Sequence, residues 1–169
     1  GKKVLVRIDL NVPLQDGAVS DASRIESVAP TLTELSRKGA RVIVLSHFGR
    51  PKGRVIPAMS LAPIAPHLSA ALNGREIAFV ADCIGEEARR VVDGLCDGDV
   101  ALLENTRFHA GEETNSNEFI ASLAGLADLY VNDAFSAAHR AHASTTGVPT
   151  LLPSAAGRLM ARELATLES

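Results

Sequence analysis

The chain has 169 residues, enough for one compact domain with its own hydrophobic core. With 46% hydrophobic and 22% charged residues its composition is that of a soluble globular protein, and the net charge of −3 argues against nucleic acid or a membrane surface as a partner. No apolar run reaches the roughly 20 residues that a membrane-spanning helix needs.

The chain contains two cysteines, Cys83 and Cys96, and they lack the short spacing of paired metal ligands. We expect both to be buried, reduced thiols. This cysteine usage, together with the absence of a signal-peptide pattern at the start, predicts a cytoplasmic protein.

Apolar runs alternate with helical patterns along the chain. The runs are rich in Val, Leu and Ile and predict buried strands at residues 4–8, 41–46, 76–80, 100–104 and 128–132. The helical patterns lie between them, at residues 23–38, 61–72, 86–95 and 117–124. Pro30 should kink the first helix or begin its second part. The alternation predicts a doubly wound, Rossmann-like α/β domain with a mostly parallel sheet of five or six strands and helices on both faces.

The last stretch, residues 154–169, is expected to form a further helix. Met160, Leu164 and Leu167 would lie on one apolar stripe of this helix. Two interpretations stay open. The stripe could pack on the sheet of this domain, or the helix could lead toward a part of the protein outside the chain.

Polar and basic residues follow several of the predicted strands. In open α/β sheets, ligands bind beyond the carboxyl ends of the strands, so these residues should converge on one edge. They are Asp9 and Asn11 after the first strand, Arg24 near the start of the first helix, His47, Gly49 and Arg50 after the second strand, Arg107 after the fourth, and Arg140 after the fifth. Arg7 would share a face with Asp9 and Asn11. Four converging arginines predict a site for an anion such as a phosphate or carboxylate.

Other functional classes find little support in the sequence. No GxGxxG motif follows the first strand, and no P-loop or GxSxG motif is present, which argues against a dinucleotide site, a nucleotide site and a common type of hydrolase. His139 and His142 have a spacing that zinc ligands can use, but no third ligand is evident. We therefore expect neither a metal nor a cofactor in this chain.

Several motifs in this order resemble those of the phosphoglycerate kinases over the whole chain. They lie at residues 4–13, 46–53, 82–85, 103–108, 132–135 and 139–144. The resemblance implies that residues 1–153 form the N-terminal domain, which binds 3-phosphoglycerate or 1,3-bisphosphoglycerate, and that residues 154–169 start a helix toward an absent C-terminal domain. It implies that ATP or ADP binds with magnesium to that absent domain. It also implies that this chain is a monomer and that it does not catalyse the reaction by itself.

The resemblance also assigns roles to residues. Arg24 would reach the phosphoryl group during transfer, and the implied substrate-binding residues are Asp9, Leu10, Asn11, Arg24, His47, Phe48, Gly49, Arg50, Arg107 and Arg140. Arg7, His139 and His142 would extend the basic patch.

The chain departs from the family pattern at a few positions. Leu10 stands where Phe is usual, Phe48 where Leu is frequent, and Ser136-Ala137 where a Gly-Thr pair is common, which makes that loop's conformation less certain. The alternatives are a non-catalytic anion-binding or interaction module derived from the same domain, and an unrelated α/β enzyme acting on sugar phosphates.

Overall fold

The computed structural model describes residues 1–16, 18–137 and 140–168. Its strands are β1 (Lys3–Arg7), β2 (Leu14–Gln15), β3 (Ala18–Val19), β4 (Arg41–Leu45), β5 (Ile77–Val80), β6 (Val100–Leu103), β7 (Leu129–Asn132) and β8 (Ser154–Ala156). Its α-helices are α1 (Ser23–Arg37), α2 (Ala65–Ala71), α3 (Glu86–Asp93), α4 (Ala110–Glu113), α5 (Asn117–Ala124) and α6 (Arg158–Glu168).

Six of the strands form one sheet in the order β5-β6-β4-β1-β7-β8, and β2 with β3 forms a small antiparallel hairpin. Every neighbouring pair in the large sheet is parallel. β1 lies inside the sheet, with β4, β6 and β5 on one side and β7 and β8 on the other, which is the doubly wound topology. This confirms the predicted α/β fold, with six strands.

Alternate residues of the central strands belong to two different hydrophobic cores, because successive side chains of a strand point to opposite faces of the sheet. On β1, Val4 and Val6 lie in one core and Leu5 lies in the other. The helical residues of the first core are on α1 and α2, and those of the second are on α3 and α5. Helices therefore cover both faces, which explains why the central strands are apolar almost without interruption.

The segment predicted as one helix at residues 61–72 is shorter and is divided. A 3₁₀ turn at Ala62–Ile64 precedes α2, and each of the two begins with a proline, Pro63 or Pro66, in its first turn. Proline is favoured in a first helical turn and disfavoured in a helix interior, so Pro63 and Pro66 each mark a new start. Pro30, by contrast, lies inside α1, which is a single helix from Ser23 to Arg37.

The prediction of a helix from residue 154 is wrong at its start. Ser154–Ala156 forms the edge strand β8, which pairs with β7, and α6 begins at Arg158. These small residues carry no periodic signal that would distinguish a strand from a helix. Met160 is buried against the domain, whereas Leu164 is 43% and Leu167 is 70% exposed. The apolar stripe therefore packs on this domain only at its first position.

The expectation of two buried thiols is correct for Cys83 and wrong for Cys96, which is exposed. Cys96 lies just beyond α3, where its backbone N–H bonds to the Asp99 carboxylate. Among the helices that the structure describes, none combines the length and the apolar character needed to cross a membrane.

Candidate anion-binding site

A pocket of about 240 Å³ lies at the carboxyl edge of the sheet. The loops after β1 and β4, the turn after β6, the loop after β7 and the first turn of α1 all contribute to it. Its lining residues are Asp9, Asn11, Arg24, His47, Gly49, Arg50, Arg107, Ser136, Ala137 and Arg140. The structure thus brings together eight of the residues that the sequence placed at this edge.

Asp9 organises one wall of the pocket. Its Oδ1 accepts a hydrogen bond from the Asn11 N–H at 2.9 Å and its Oδ2 accepts one from Ser136 Oγ at 2.5 Å. Both oxygens lie 3.4 Å from Nη1 of Arg24, which also donates to the Asn11 carbonyl at 2.7 Å. Burial acts to raise the pKa of Asp9, but these hydrogen bonds and the Arg24 charge lower it overall. The ionised carboxylate therefore pairs with Arg24, and both residues line the pocket.

Gly49 connects two further lining residues through its backbone. Its N–H donates to Asn11 Oδ1 at 3.0 Å, and its carbonyl accepts a hydrogen bond from Arg107 Nη1 at 3.0 Å. The backbone at Gly49 has φ of +63°, a left-handed conformation that glycine adopts without strain. This explains the glycine between His47 and Arg50 in the loop after β4.

Arg107 is a buried cation in the pocket wall. Its side chain is 4% exposed, and within the described part of the chain its Nε has no hydrogen-bond acceptor. The nearest carboxylate oxygen, Oε1 of Glu113, lies 3.6 Å from this nitrogen. Burial lowers the pKa of Arg107, although an arginine stays charged at any physiological pH. A buried guanidinium with unmatched hydrogen-bonding capacity favours the binding of an anion.

His47 contributes a neutral hydrogen-bond donor. Burial, followed by the charges of Arg7 and Arg107, lowers the pKa of His47 to about 3. Its Nδ1 lies 2.8 Å from Nη2 of Arg7, and because a guanidinium can only donate, Nδ1 is the acceptor. The proton of the neutral ring is therefore on Nε2, which can donate to a ligand in the pocket.

Arg7 lies behind this wall rather than on it. The side chain is fully buried, and besides His47 it donates to Ser144 Oγ at 2.8 Å and to the Ile8 carbonyl. Ser144 in turn donates to the buried carboxylate of Glu112 from its hydroxyl at 2.5 Å and from its N–H at 2.7 Å. Arg7 thus contributes charge and orientation from beneath His47 and does not line the pocket.

The remaining predicted residues are distributed as follows. Arg50 and Arg140 line the pocket and are exposed. Leu10 and Phe48, named as substrate-binding, have their side chains in the hydrophobic core. His142 is half-buried at the start of a short helical turn, Ala143–Gly147, and is not a lining residue; His139 lies outside the described residues.

Ser136 and Ala137 line the pocket but were not among the predicted binding residues. In the sequence they are distinguished only by standing where a Gly-Thr pair is common. The hydrogen bond from Ser136 to Asp9 joins residues 127 positions apart, and no local sequence pattern indicates such a pairing.

A second cavity, of about 340 Å³, shares Asp9, Arg24 and Ser136 with the pocket. It extends between α1 and α6, where Val28, Phe135, Leu159 and Glu163 contribute to its lining. Although it is larger, Arg24 is the one cation among its described lining residues, whereas the smaller pocket has four arginines. The smaller pocket is therefore the better site for an anion, and Arg24 stands between the two cavities.

Comparison with known proteins identifies the family of the chain. The family model described as phosphoglycerate kinase matches residues 1–169. The chain is 63% identical over 168 residues to the phosphoglycerate kinase of Granulibacter bethesdensis and 56% identical over 169 residues to that of Cereibacter sphaeroides. These alignments cover 99% and 100% of this chain but 42% and 43% of the relatives.

Solved structures give the same result. The phosphoglycerate kinase of Pyrococcus horikoshii superimposes with a TM-score of 0.89 at 33% identity, and that of Coxiella burnetii with a TM-score of 0.88 at 37% identity. Each superposition covers 99% of this chain and 42% or 41% of the solved chain. The chain spans about two fifths of the length of the relatives it matches, and it belongs to the phosphoglycerate kinase family.

Proposed function

We propose that the pocket binds 3-phosphoglycerate or 1,3-bisphosphoglycerate, and that the chain is the substrate-binding part of a glycolytic phosphoglycerate kinase. That enzyme transfers a phosphoryl group reversibly between 1,3-bisphosphoglycerate and ADP, which gives 3-phosphoglycerate and ATP. The observation that carries the proposal is the convergence of Arg24, Arg50, Arg107 and Arg140 on one pocket, whose described lining residues include one carboxylate, Asp9. Such a site favours a small ligand with several negative charges.

Phosphoryl transfer to a carboxylate requires neutralisation of the negative charge on the phosphoryl group and does not require a general base. In the ATP-consuming direction the nucleophile is the substrate carboxylate, which is ionised at pH 7. The two titratable groups of the pocket suit this role, because Asp9 is held by Arg24 and Ser136, and the lowered pKa of His47 keeps its ring neutral. Arginines can then stabilise the charge on the phosphoryl group during transfer.

Within the pocket we assign Arg24 to the transferred phosphoryl group. Its guanidinium is half-exposed and lies where the anion pocket meets the second cavity, so it can be approached from outside the pocket. Arg50, Arg107, Arg140 and the Nε2–H of His47 would then anchor the remainder of the ligand.

The nucleotide and magnesium are assigned to the part of the enzyme that this chain does not span. Magnesium prefers several oxygen ligands, and the carboxylate that lines the pocket is already paired with Arg24. The isolated chain should therefore give no measurable turnover, because the two reactants are not held together, an effect that can contribute about 7–11 kcal/mol. The assignment also carries the expectation of a cytoplasmic monomer, and sedimentation velocity would test the oligomeric state.

Calorimetric titration with 3-phosphoglycerate, and separately with ATP and magnesium, tests the proposal. The double variant Arg24→Ala, Arg50→Ala removes two pocket cations, and Arg89→Ala, Arg90→Ala is a matched control in exposed positions of α3. We expect the wild-type chain and the control to bind 3-phosphoglycerate, the pocket variant to lose binding, and none of the three to bind ATP. Equal binding by both double variants would contradict the assigned site, and binding of ATP would contradict the division of roles. A non-catalytic anion-binding module would bind 3-phosphoglycerate but fail to restore activity when mixed with the rest of a related enzyme.

A further inference from the structure

A second cluster of reactive side chains lies at the carboxyl edge of the sheet, separate from the residues that line the anion pocket. It consists of Asp82 and Cys83, which follow β5, and His109, which lies between the turn after β6 and the start of α4. Each residue offers one ligand atom: a carboxylate oxygen, the cysteine sulfur or a ring nitrogen. These three atoms all lie within 4.8 Å of one another. His109 is 27 positions from Asp82, which explains why the spacing of residues in the sequence did not reveal the group.

The three side chains are held in place by neighbouring structure. Asp82 Oδ1 accepts hydrogen bonds from the N–H groups of Cys83 at 2.7 Å and Ile84 at 3.3 Å, and it lies 2.7 Å from Nε2 of His109. The imidazole of His109 packs on the ring of Phe119, with a centroid separation of 5.3 Å. Cys83 is fully buried. Neighbouring structure therefore brings the three side chains together, with Asp82 and His109 joined by a hydrogen bond.

We propose that Asp82, Cys83 and His109 form a binding site for a thiophilic divalent cation, with zinc as the best match. A thiolate, an imidazole and a carboxylate are the three kinds of protein ligand that zinc uses, and three of them leave a fourth tetrahedral position for water. The sulfur and the imidazole select zinc over magnesium or calcium, which prefer oxygen ligands alone.

The charge around Cys83 supports a cation at this position. Cys83 is fully buried, and the negative charges of Asp82, Glu112 and Glu104 act on its sulfur. A lone thiolate is disfavoured in these surroundings, whereas a divalent ion would offset the negative charge. The thiol proton would be released to solvent as the bond between the Cys83 sulfur and the metal ion forms.

Two of the three side chains can adjust their positions to an ion. Ligand atoms around a tetrahedral zinc lie roughly 3.2–3.7 Å apart, so the 2.7 Å contact between Nε2 of His109 and Oδ1 of Asp82 must lengthen when the ion binds. Both side chains are partly exposed, 46% for Asp82 and 32% for His109, and can make this adjustment. The hydrogen bonds that Asp82 accepts from described residues all reach Oδ1, so Oδ2 is the oxygen that can take the ion. A cavity of about 220 Å³, lined in part by Ile84 and His109, lies on the histidine side of the cluster.

Cobalt(II) provides the test, because it occupies zinc sites and its spectrum reports the ligands. The metal-free chain is titrated with cobalt and the absorption is recorded before and after zinc is added. We expect visible d–d bands of tetrahedral cobalt, a near-ultraviolet sulfur-to-cobalt charge-transfer band, and loss of both when zinc displaces cobalt. A wild-type chain without the charge-transfer band would overturn the proposal.

Variants show which residues supply the ligands. Cys83→Ser should abolish the charge-transfer band, whereas Cys96→Ser, at the exposed cysteine, should leave it unchanged. His109→Gln should weaken binding, and His67→Gln on α2 is its matched control. If Cys83→Ser does not fold, as judged by circular dichroism, His109→Gln decides the question because its side chain is partly exposed. A band lost in Cys96→Ser, or one that His109→Gln leaves intact, would refute the site. The experiment does not depend on phosphoglycerate binding.

Discussion

Nη2 of Arg7 donates a hydrogen bond across 2.8 Å to Nδ1 of His47, and this contact sets the chemical state of the pocket histidine. A buried guanidinium beside the ring disfavours the imidazolium, and its donated hydrogen bond places the ring proton on Nε2. Arg7 is itself held by Ser144, which is bonded to the buried carboxylate of Glu112. His47 therefore faces a ligand as a fixed, neutral donor rather than as a cation.

The first prediction compares two amide replacements of His47. Glutamine can accept from Arg7 and still place an N–H near the position of Nε2, whereas the shorter asparagine reaches only the position of Nδ1. We expect His47→Asn to weaken 3-phosphoglycerate binding by about 1.5–3 kcal/mol, the usual contribution of a hydrogen bond to a charged group. This is a roughly 10- to 150-fold change in Kd, and His47→Gln should lose much less. Calorimetry on both variants measures the difference, and equal losses would contradict the assigned tautomer.

The second prediction concerns acid stability. The pKa of His47 is about 3 in the folded chain and 6.5 when unperturbed, so the unfolded chain takes up the proton first as the pH falls. The stabilisation from the neutral ring is complete above pH 6.5 and decreases as the pH falls toward 3. We expect His47 to contribute up to about 1.4 kcal/mol of lost stability per pH unit in this window. His47→Gln should remove this contribution and so make the dependence of stability on pH less steep. Urea unfolding at several pH values between 4 and 7 gives both slopes, and identical slopes would show that His47 does not carry the effect.

A third prediction concerns Gly49, in the loop after β4. It distinguishes the effect of this loop on the pocket from the backbone strain that alanine causes at any left-handed glycine. Gly49 has φ of +63° and Gly74 has φ of +81°, so alanine at either position costs roughly 1 kcal/mol of stability. At Gly49 the new Cβ would also lie 3.1 Å from the Met59 sulfur, whereas nothing lies within 4 Å of a Cβ at Gly74. Gly49 also bonds to Asn11 and Arg107, so its movement should displace two lining residues.

We therefore expect both Gly49→Ala and Gly74→Ala to lower the free energy of unfolding, but only Gly49→Ala to weaken 3-phosphoglycerate binding. Denaturant unfolding and calorimetry on the same preparations distinguish the two effects. Normal binding by Gly49→Ala would indicate that this loop does not position Arg107.

The residues that the sequence placed correctly are those whose positions follow from topology. Asp9, His47 and Arg107 each come soon after a buried strand, and the parallel order of β1, β4 and β6 brings their ends to one edge. This argument needs only the strand assignments and the rule that parallel strands share a carboxyl edge. It explains why the pocket could be predicted without any knowledge of side-chain contacts.

What the sequence could not show depends on contacts between distant positions. The hydrogen bond between Arg7 and Ser144 spans 137 positions, and it decides that Arg7 lies beneath the pocket instead of lining it. The strand at Ser154–Ala156 is defined by pairing with β7, because its small side chains carry no pattern of their own. In both cases a partner elsewhere in the chain determines the outcome, and local periodicity contains no information about it.

The last prediction concerns the attachment of α6. Asp133, fully buried after β7, accepts hydrogen bonds from Thr31 Oγ1 at 2.7 Å and from the Met160 N–H at 2.9 Å. Thr31 Oγ1 also accepts a hydrogen bond from the Arg158 N–H at 2.8 Å, so this one hydroxyl joins α1, β7 and the first turn of α6. Thr31→Val keeps the shape of the side chain but leaves both partners without their hydrogen bond.

We expect Thr31→Val to lower the free energy of unfolding by about 1–3 kcal/mol, the cost of an unsatisfied buried polar group. Hydrogen exchange should also become faster at the amides of Arg158 and Met160, because the start of α6 is then held less firmly. Thr33→Val, on the same helix and only half-buried, is the matched control and should change both quantities little. Denaturant unfolding combined with hydrogen-exchange mass spectrometry measures both. A stability loss in Thr31→Val without faster exchange in α6 would mean that the hydroxyl supports α1 and β7 but does not hold the C-terminal helix.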